Sequence, residues 1–238
     1  PDTYEQDFAM TLCNYANLLE SLQRYQESKD LYKEALAIYK RLAEKDKGQY
    51  EVELAGILHN LGNTYKNEER YDKSEEKYRQ ALKIKEDAAK ANPQRYEPSL
   101  AGTLEALGTL CLFSDRYSES ETLLCRALRI YERLAGQNHQ TYRPDLARIL
   151  INLGLLYEGK HDFEKADSMF KQSLEIRKDL AKKDAKTYIA DYSHTLSVLS
   201  NLYYSYNKYS ESEELIKYAI ENIECLAKEN PIVYEKEL

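Results

Sequence analysis

The sequence predicts an all-α fold, an α-solenoid of five helix-turn-helix units with ten helices, and three observations carry this. The first is helical spacing: Leu58, Leu61, Gly62 and Tyr65 stand at i, i+3, i+4 and i+7, one stripe of a helix. A polar corner from Lys66 to Arg70 follows, and then Tyr71, Ser74, Tyr78 and Ala81 form the stripe of a second helix. The second is recurrence: a shift of 46 residues gives Leu104, Leu107, Gly108 and Cys111, then Tyr117, Ser120, Leu124 and Ala127. Further shifts give Leu150 to Ser173 and Leu196 to Ala219, and a backward shift gives Leu12 to Ala35, so five copies share one register. The third is the placement of small residues. Gly62, Gly108 and Gly154 fall at one register of the first helix, with Ala16 and Ser200 in the outer copies. Glycine costs about 1 kcal/mol against alanine inside a helix, so its repetition implies that another backbone comes close there.

Taken in order, the units run 4–49, 50–95, 96–141, 142–187 and 188–233, and residues 234–238 open a sixth, all within one solenoid. Each unit begins with Tyr: Tyr4, Tyr50, Tyr96, Tyr142 and Tyr188, with Tyr234 opening the next. Helix A of each unit is expected to start near Val52, Pro98, Pro144 or Ala190, because proline's missing N–H is harmless in a first turn. It should run for roughly 16 residues, about four turns, to corners such as Asn67-Glu68-Glu69-Arg70 and Ser114-Asp115-Arg116. Helix B is longer, roughly 20 residues or about 30 Å. It is expected to end at Asn92-Pro93, and at Gly48, Gly136 and Asn230-Pro231 in the other copies.

Composition removes several classes of function. The formal charge is −7, with acidic and basic residues mixed along the helices, which is no footprint for nucleic acid. No apolar run approaches the ~18 residues of a membrane span, and no signal-peptide pattern is visible, so the reading favours the cytoplasm. Cys13, Cys111, Cys125 and Cys225 form no CxxC pair, and His59, His139, His161 and His194 have no ligand spacing with them. No Gly-rich phosphate loop, GxSxG or HExxH is present, so neither catalysis nor a metal or cofactor is expected.

Leu58-x2-Leu61-Gly62-x2-Tyr65, followed by Ser74-x3-Tyr78 and Ala81, resembles the tetratricopeptide repeat pattern Trp-x2-Leu-Gly-x2-Tyr…Ala-x3-Phe. Leu stands for Trp throughout, Ser often replaces the first Ala, and the period is 46 residues rather than about 34. The long period is similar to that of the kinesin light chain subfamily and of tandem arrays in bacterial signalling proteins. The resemblance implies a right-handed superhelix whose concave groove is lined by helix A, and a scaffold that binds a peptide or protein segment there. It equally admits a spacer or sensor array inside a larger signalling protein, beside a regulatory ATPase module for example.

On the expected groove face one row reads Asn14, Asn60, Ala106, Asn152 and Val198, and the next reads Asn17, Asn63, Thr109, Leu155 and Asn201. Asparagine is a poor helix-interior residue, and its amide can both donate to and accept from a peptide backbone. Alternatively these amides bond between adjacent A helices. His59, Lys66 and Asn67 share the face in the second unit, while the third offers Glu105, Thr109, Leu112 and Phe113, next to Ile151 and Leu155. The latter group is expected to form an apolar pocket or, alternatively, to pack against the corner. Lys66 and Arg148 are the only cations of these rows, too few for the dicarboxylate clamp of chaperone-binding repeats. The apolar stripe Ile216, Ile220, Ile223 and Leu226 of the last B helix suggests weak end-to-end self-association and a longer natural array.

Overall fold

One residue, not a loop, joins each B helix to the next A helix, and that economy sets the architecture. The computed structural model describes residues 2–229, and the side chains of all of these except 2, 3, 47–49 and 225–229. The expected Tyr234 start, the Asn230-Pro231 end and the side chains of Cys225 and Leu226 lie outside what is described. The described residues contain ten α-helices and no strand. They are α1 Asp2–Ser21, α2 Tyr25–Lys45, α3 Lys47–Asn67, α4 Tyr71–Ala91, α5 Pro93–Phe113, α6 Tyr117–Gln137, α7 His139–Gly159, α8 Phe163–Lys183, α9 Ala185–Ser205 and α10 Tyr209–Glu229. Contacts group them into two units, Pro1–Ser114 and Asp115–Leu238. In the first unit each helix packs on the next from α1 to α5, and α5 also touches α3; in the second the chain of neighbours runs from α6 to α10.

Helix A is longer than its sequence suggests. Helices α3, α5, α7 and α9 each hold 21 residues, and α5 and α7 begin at Pro93 and His139, leaving Pro98 and Pro144 inside the helix. Gly136 and Gly48 end nothing, since they lie within α6 and α3. The joints are instead Asp46, Asn92, Asn138 and Asp184, all with φ near −140° and ψ near 90°. Each N–H of these residues still bonds back into the finished B helix, to Leu42, Ala88, Leu134 and Leu180. The side chains of Asn92, Asn138 and Asp184 then accept from the backbone N–H of Arg95, Thr141 and Thr187, capping the new A helix. An Asx residue every 46 positions thus closes one helix and starts the next.

The A-to-B corners repeat as closely. Gln23, Glu69, Asp115, His161 and Asn207 all take positive φ, between 55° and 61°. The N–H that follows reaches back over the corner, Arg24 to Leu19, Arg70 to Tyr65, Asp162 to Tyr157 and Lys208 to Tyr203, which satisfies carbonyls the helix end leaves open.

Within a unit, helices A and B meet where a glycine faces a ring. A Cβ on Gly62 would stand 2.5 Å from Tyr78 Cε1, and one on Gly154 would be nearer still to Phe170. Tyr32, Tyr78 and Phe170 are completely buried at one register, each worth about 1.5–3 kcal/mol in apolar burial. Serines of helix B tie the pair together as well: Ser74 Oγ donates to the Gly62 carbonyl and Ser173 Oγ to that of Ala147, each at 2.8 Å.

Between successive pairs a second period appears, twice the first. Buried Tyr39 and Ile57 belong to one apolar cluster of the α2–α3 joint. At the α4–α5 joint the equivalent positions hold Lys85, whose ammonium donates to Thr103 Oγ1 at 2.8 Å and the Ser99 carbonyl at 3.2 Å. Buried Tyr131 and Ile149 occupy these positions at α6–α7, and at α8–α9 Arg177 donates to Thr195 Oγ1 and the Asp191 carbonyl. Burial holds Lys85 down to about 8 and lowers Arg177 as well. The joints also carry a reversed ion pair: Lys29 with Glu68 at α2–α3, and Glu121 with Lys160 at α6–α7.

Candidate functional site

The free face of the A helices is built differently in the two units. On α1 and α3, Asn17 and Asn63 stand opposite the buried phenols of the following B helices. Tyr32 Oη donates to Asn17 Oδ1 at 2.5 Å, and Tyr78 Oη donates to Asn63 Oδ1 at 2.6 Å. Burial raises both phenols, Tyr32 beside the Glu20 carboxylate, so they remain donors. Asn17 Oδ1 also accepts from Asn60 Nδ2 at 3.3 Å, a rung between the two A helices. Glu20 extends the ladder by accepting from Thr64 Oγ1 and Asn67 Nδ2. Asn17, Asn60 and Asn63 therefore also serve packing, bonding to phenols and across adjacent A helices.

What the ladder leaves over is directional. With Oδ1 held by a phenol, the amide nitrogens of Asn17 and Asn63 have no protein partner among the described residues. Asn14 is exposed beside them, and Lys66 is half-buried without an ion-pair partner among the described residues. The face thus presents N–H donors fixed by buried hydroxyls.

His59 does not belong with them. Its Nδ1 lies 3.1 Å from Thr103 Oγ1, its ring tilts on Tyr78 at 5.4 Å, and burial near Lys85 and Lys66 lowers it to about 3. It is a neutral spacer between α3, α4 and α5. Glu105, expected on the face, is 3% exposed, so its carboxylate is not presented. Thr109 is half-buried and turns its hydroxyl back to the Glu105 carbonyl at 2.9 Å. Phe113 stands 64% exposed at the end of α5.

In the second unit Leu155 replaces the asparagine and Phe170 replaces the tyrosine, so the hydroxyl–amide pair becomes an apolar one. Leu155 remains partly exposed, whereas Ile151 is buried and withdraws from the expected apolar patch. Asn152 is half-buried. Asn201 is exposed, Ile216 stands at the register of the phenol and has no hydroxyl to offer, and no hydrogen bond to Asn201 occurs among the described residues. Next to it come Tyr204, 66% exposed, and a half-buried carboxylate sequence reasoning missed, Glu158, at the Lys66 register of α7. A 46-residue alignment of the rows would have exposed this charge reversal.

Among the described residues no group of three His, Cys, Asp or Glu side chains could hold a metal, and no helix is long and apolar enough to cross a membrane. Cys13 and Cys125 are half-buried thiols raised by desolvation, Cys13 to about 11, and Cys111 is buried. Thiols pushed upward are poor nucleophiles.

A tetratricopeptide repeat family model matches residues 7–87, 53–133 and 100–179. No curated protein matches the chain in sequence. Among solved structures, BtubC (BKLC) from P. vanneervenii is 24% identical with a TM-score of 0.74, covering 94% of this chain and 89% of its own. The nearly identical TPR-like repeats of a Podosopora anserina kinesin light chain are 16% identical with a TM-score of 0.67, covering 95% of this chain and 98% of theirs. The Rap conjugation gene regulator of plasmid pLS20, solved with the Phr* peptide, is 15% identical with a TM-score of 0.62. This chain covers 53% of that regulator, and 92% of this chain is covered in return. At these identities the likeness is one of fold.

Proposed function

This chain belongs to the tetratricopeptide repeat family, and on that premise we propose that it is a non-catalytic scaffold that binds an extended peptide or protein segment along the free face of its A helices. The observation that carries the reading is the pair of anchored amides: Tyr32 and Tyr78 hold Asn17 and Asn63 by their carbonyl oxygens. Their N–H groups are thereby aimed outward, where the carbonyls of an extended chain can accept them. Fixing the amide beforehand removes rotamer entropy that binding would otherwise cost. A peptide ligand is further supported by the Rap conjugation gene regulator, a protein of similar fold solved in complex with the Phr* peptide. In the first unit Asn14, Asn60, Lys66, Thr109 and Phe113 complete the proposed surface, with His59 and Glu105 supporting it from within; the second unit offers Asn152, Leu155 and Asn201 on its own A helices.

The test exploits the second unit's own solution to the same packing. The double variant Asn63→Leu/Tyr78→Phe reproduces the Leu155–Phe170 pair, so it should fold with an unchanged melting temperature. Peptides selected on the wild-type chain from a random dodecapeptide display library should bind it about fivefold more weakly, the worth of one net hydrogen bond. Unchanged affinity across all selected peptides, or failure to select any, overturns the reading.

A further inference from the structure

In the second unit the ends of α7 and α9 and the corners after them flank an open cleft of about 490 Å³ lined by Glu158, His161, Ser205 and Tyr206, a volume within the roughly 300–1,000 Å³ of small-ligand sites. Beside His161, the other three lining side chains share one chemistry. Glu158 is half-buried, and desolvation raises its carboxyl above the ordinary range. Among the described residues it has no ion-pair partner, because the cations near the corners are engaged elsewhere. Lys160 pairs with Glu121, Lys165 with Asp162 at 2.9 Å, and Lys208 sits 4.4 Å over the Phe163 ring. Ser205 gives its hydroxyl proton to the Leu202 carbonyl, which leaves the oxygen as an acceptor. Tyr206 is packed on Phe163 with ring centroids 4.5 Å apart, a supported aromatic wall.

A carboxylate without a cation, a hydroxyl oxygen and a braced aromatic ring are the complement of a planar cation rich in N–H donors. We propose that this cleft receives the guanidinium of an arginine side chain on the partner segment, paired with Glu158 and lying along Tyr206. Guanidinium suits the site better than ammonium, since it forks onto a carboxylate, stacks on rings and is more weakly hydrated. The inference rests on the groove reading for its ligand, and it adds a chemical preference: Leu155, one helical turn before Glu158 and partly exposed, places an apolar neighbour beside the arginine.

A single amino-acid probe tests this apart from peptide binding. Nα-acetyl-L-argininamide is titrated into the whole chain carrying carboxyl-labelled glutamate, and the Glu158 carboxyl resonance is followed by NMR. A saturable shift is expected, with the Glu158 titration midpoint moving down as the probe fills the site. Nα-acetyl-lysinamide should bind several-fold more weakly, and Glu158→Gln should weaken argininamide binding about tenfold, read on the Ser205 and Tyr206 amides. No saturable shift, or binding unchanged in Glu158→Gln, overturns the proposal. The Asn63→Leu/Tyr78→Phe variant should leave the titration intact. Failure to select any peptide on the wild-type chain, with saturable argininamide binding retained, therefore overturns the groove reading alone, and selected peptides with no arginine dependence on Glu158 overturn this one alone.

Discussion

Lys29 is 2% exposed, and its ammonium is paired with the Glu68 carboxylate at 2.5 Å. Removing one partner of a buried pair typically costs about 3–5 kcal/mol, because the other is left uncompensated. Glu68 keeps some solvent access, so Lys29→Met should fall below that range, at about 1–2 kcal/mol in urea melts. Lys29→Glu should be worse, and Lys29→Glu/Glu68→Lys should recover most of the loss, since Glu121–Lys160 uses that reversed polarity at the same register. A double variant no better than Lys29→Glu would show that the pair is not coupled. Gly154→Leu should cost about 1–3 kcal/mol by driving into Phe170, whereas Leu155→Ala on the open face should stay near ~0.5 kcal/mol. His59 supplies a pH signature. Its folded pKa, about 3, lies below the ordinary histidine value of 6.5. The unfolded chain therefore binds the proton first, and stability present above pH 6.5 is lost as pH falls toward 3. His59→Gln, neutral throughout, should flatten the difference in melting temperature between about pH 7 and pH 5; an identical slope in both proteins would contradict the assignment.

At the scale of the helix, the one-residue joints and three-residue corners do the work that loops do elsewhere. Asn138→Ala should cost about 1 kcal/mol, as expected for loss of the cap on Thr141. The joint also fixes where α6 stops and α7 starts, so proteolysis should appear first at residues 137–141 in that variant. At the corners five non-glycine residues accept left-handed backbone, which costs roughly 1–2 kcal/mol for an ordinary side chain. Glu69→Gly should therefore raise the melting temperature by a few degrees and Glu69→Val should lower it. Asparagine tolerates this conformation, so Asn207→Gly should gain less.

At the scale of the molecule, apolar surface is left open on α1 and the corner after it, where Phe8, Tyr15, Leu18 and Leu22 are each about half exposed. The Tyr15 register of α3 holds Leu61, buried in the cluster with Tyr32 and Tyr39 of α2. On α10, Tyr218 and Ile220 are 47% and 45% exposed. Sedimentation at rising concentration should show weak, reversible association that Leu18→Lys or Ile220→Lys reduces. A strict monomer would show that these stripes attract no second copy.

How much of this was legible beforehand depends on which residues must agree. The helix pairs, the corners and the close approach at Gly62 and Gly154 were readable, because each imposes a residue type at a fixed 46-residue lag. The Asp46, Asn92, Asn138 and Asp184 series was present at that lag too, but Pro98 and Pro144 further on gave a louder and misleading start signal. What only the tertiary structure decided was the meaning of each asparagine and carboxylate. Asn63 is held by a phenol fifteen residues away, Asn201 has Ile216 at the register of that phenol, His59 is neutral because it is desolvated beside Lys85 and Lys66, and Glu158 has no ion-pair partner among the described residues while Lys160 pairs with Glu121. Periodicity belongs to the chain and can be read along it. Hydrogen-bond satisfaction and desolvation belong to neighbours brought together in space, and a residue's role on an exposed helix face is set by those.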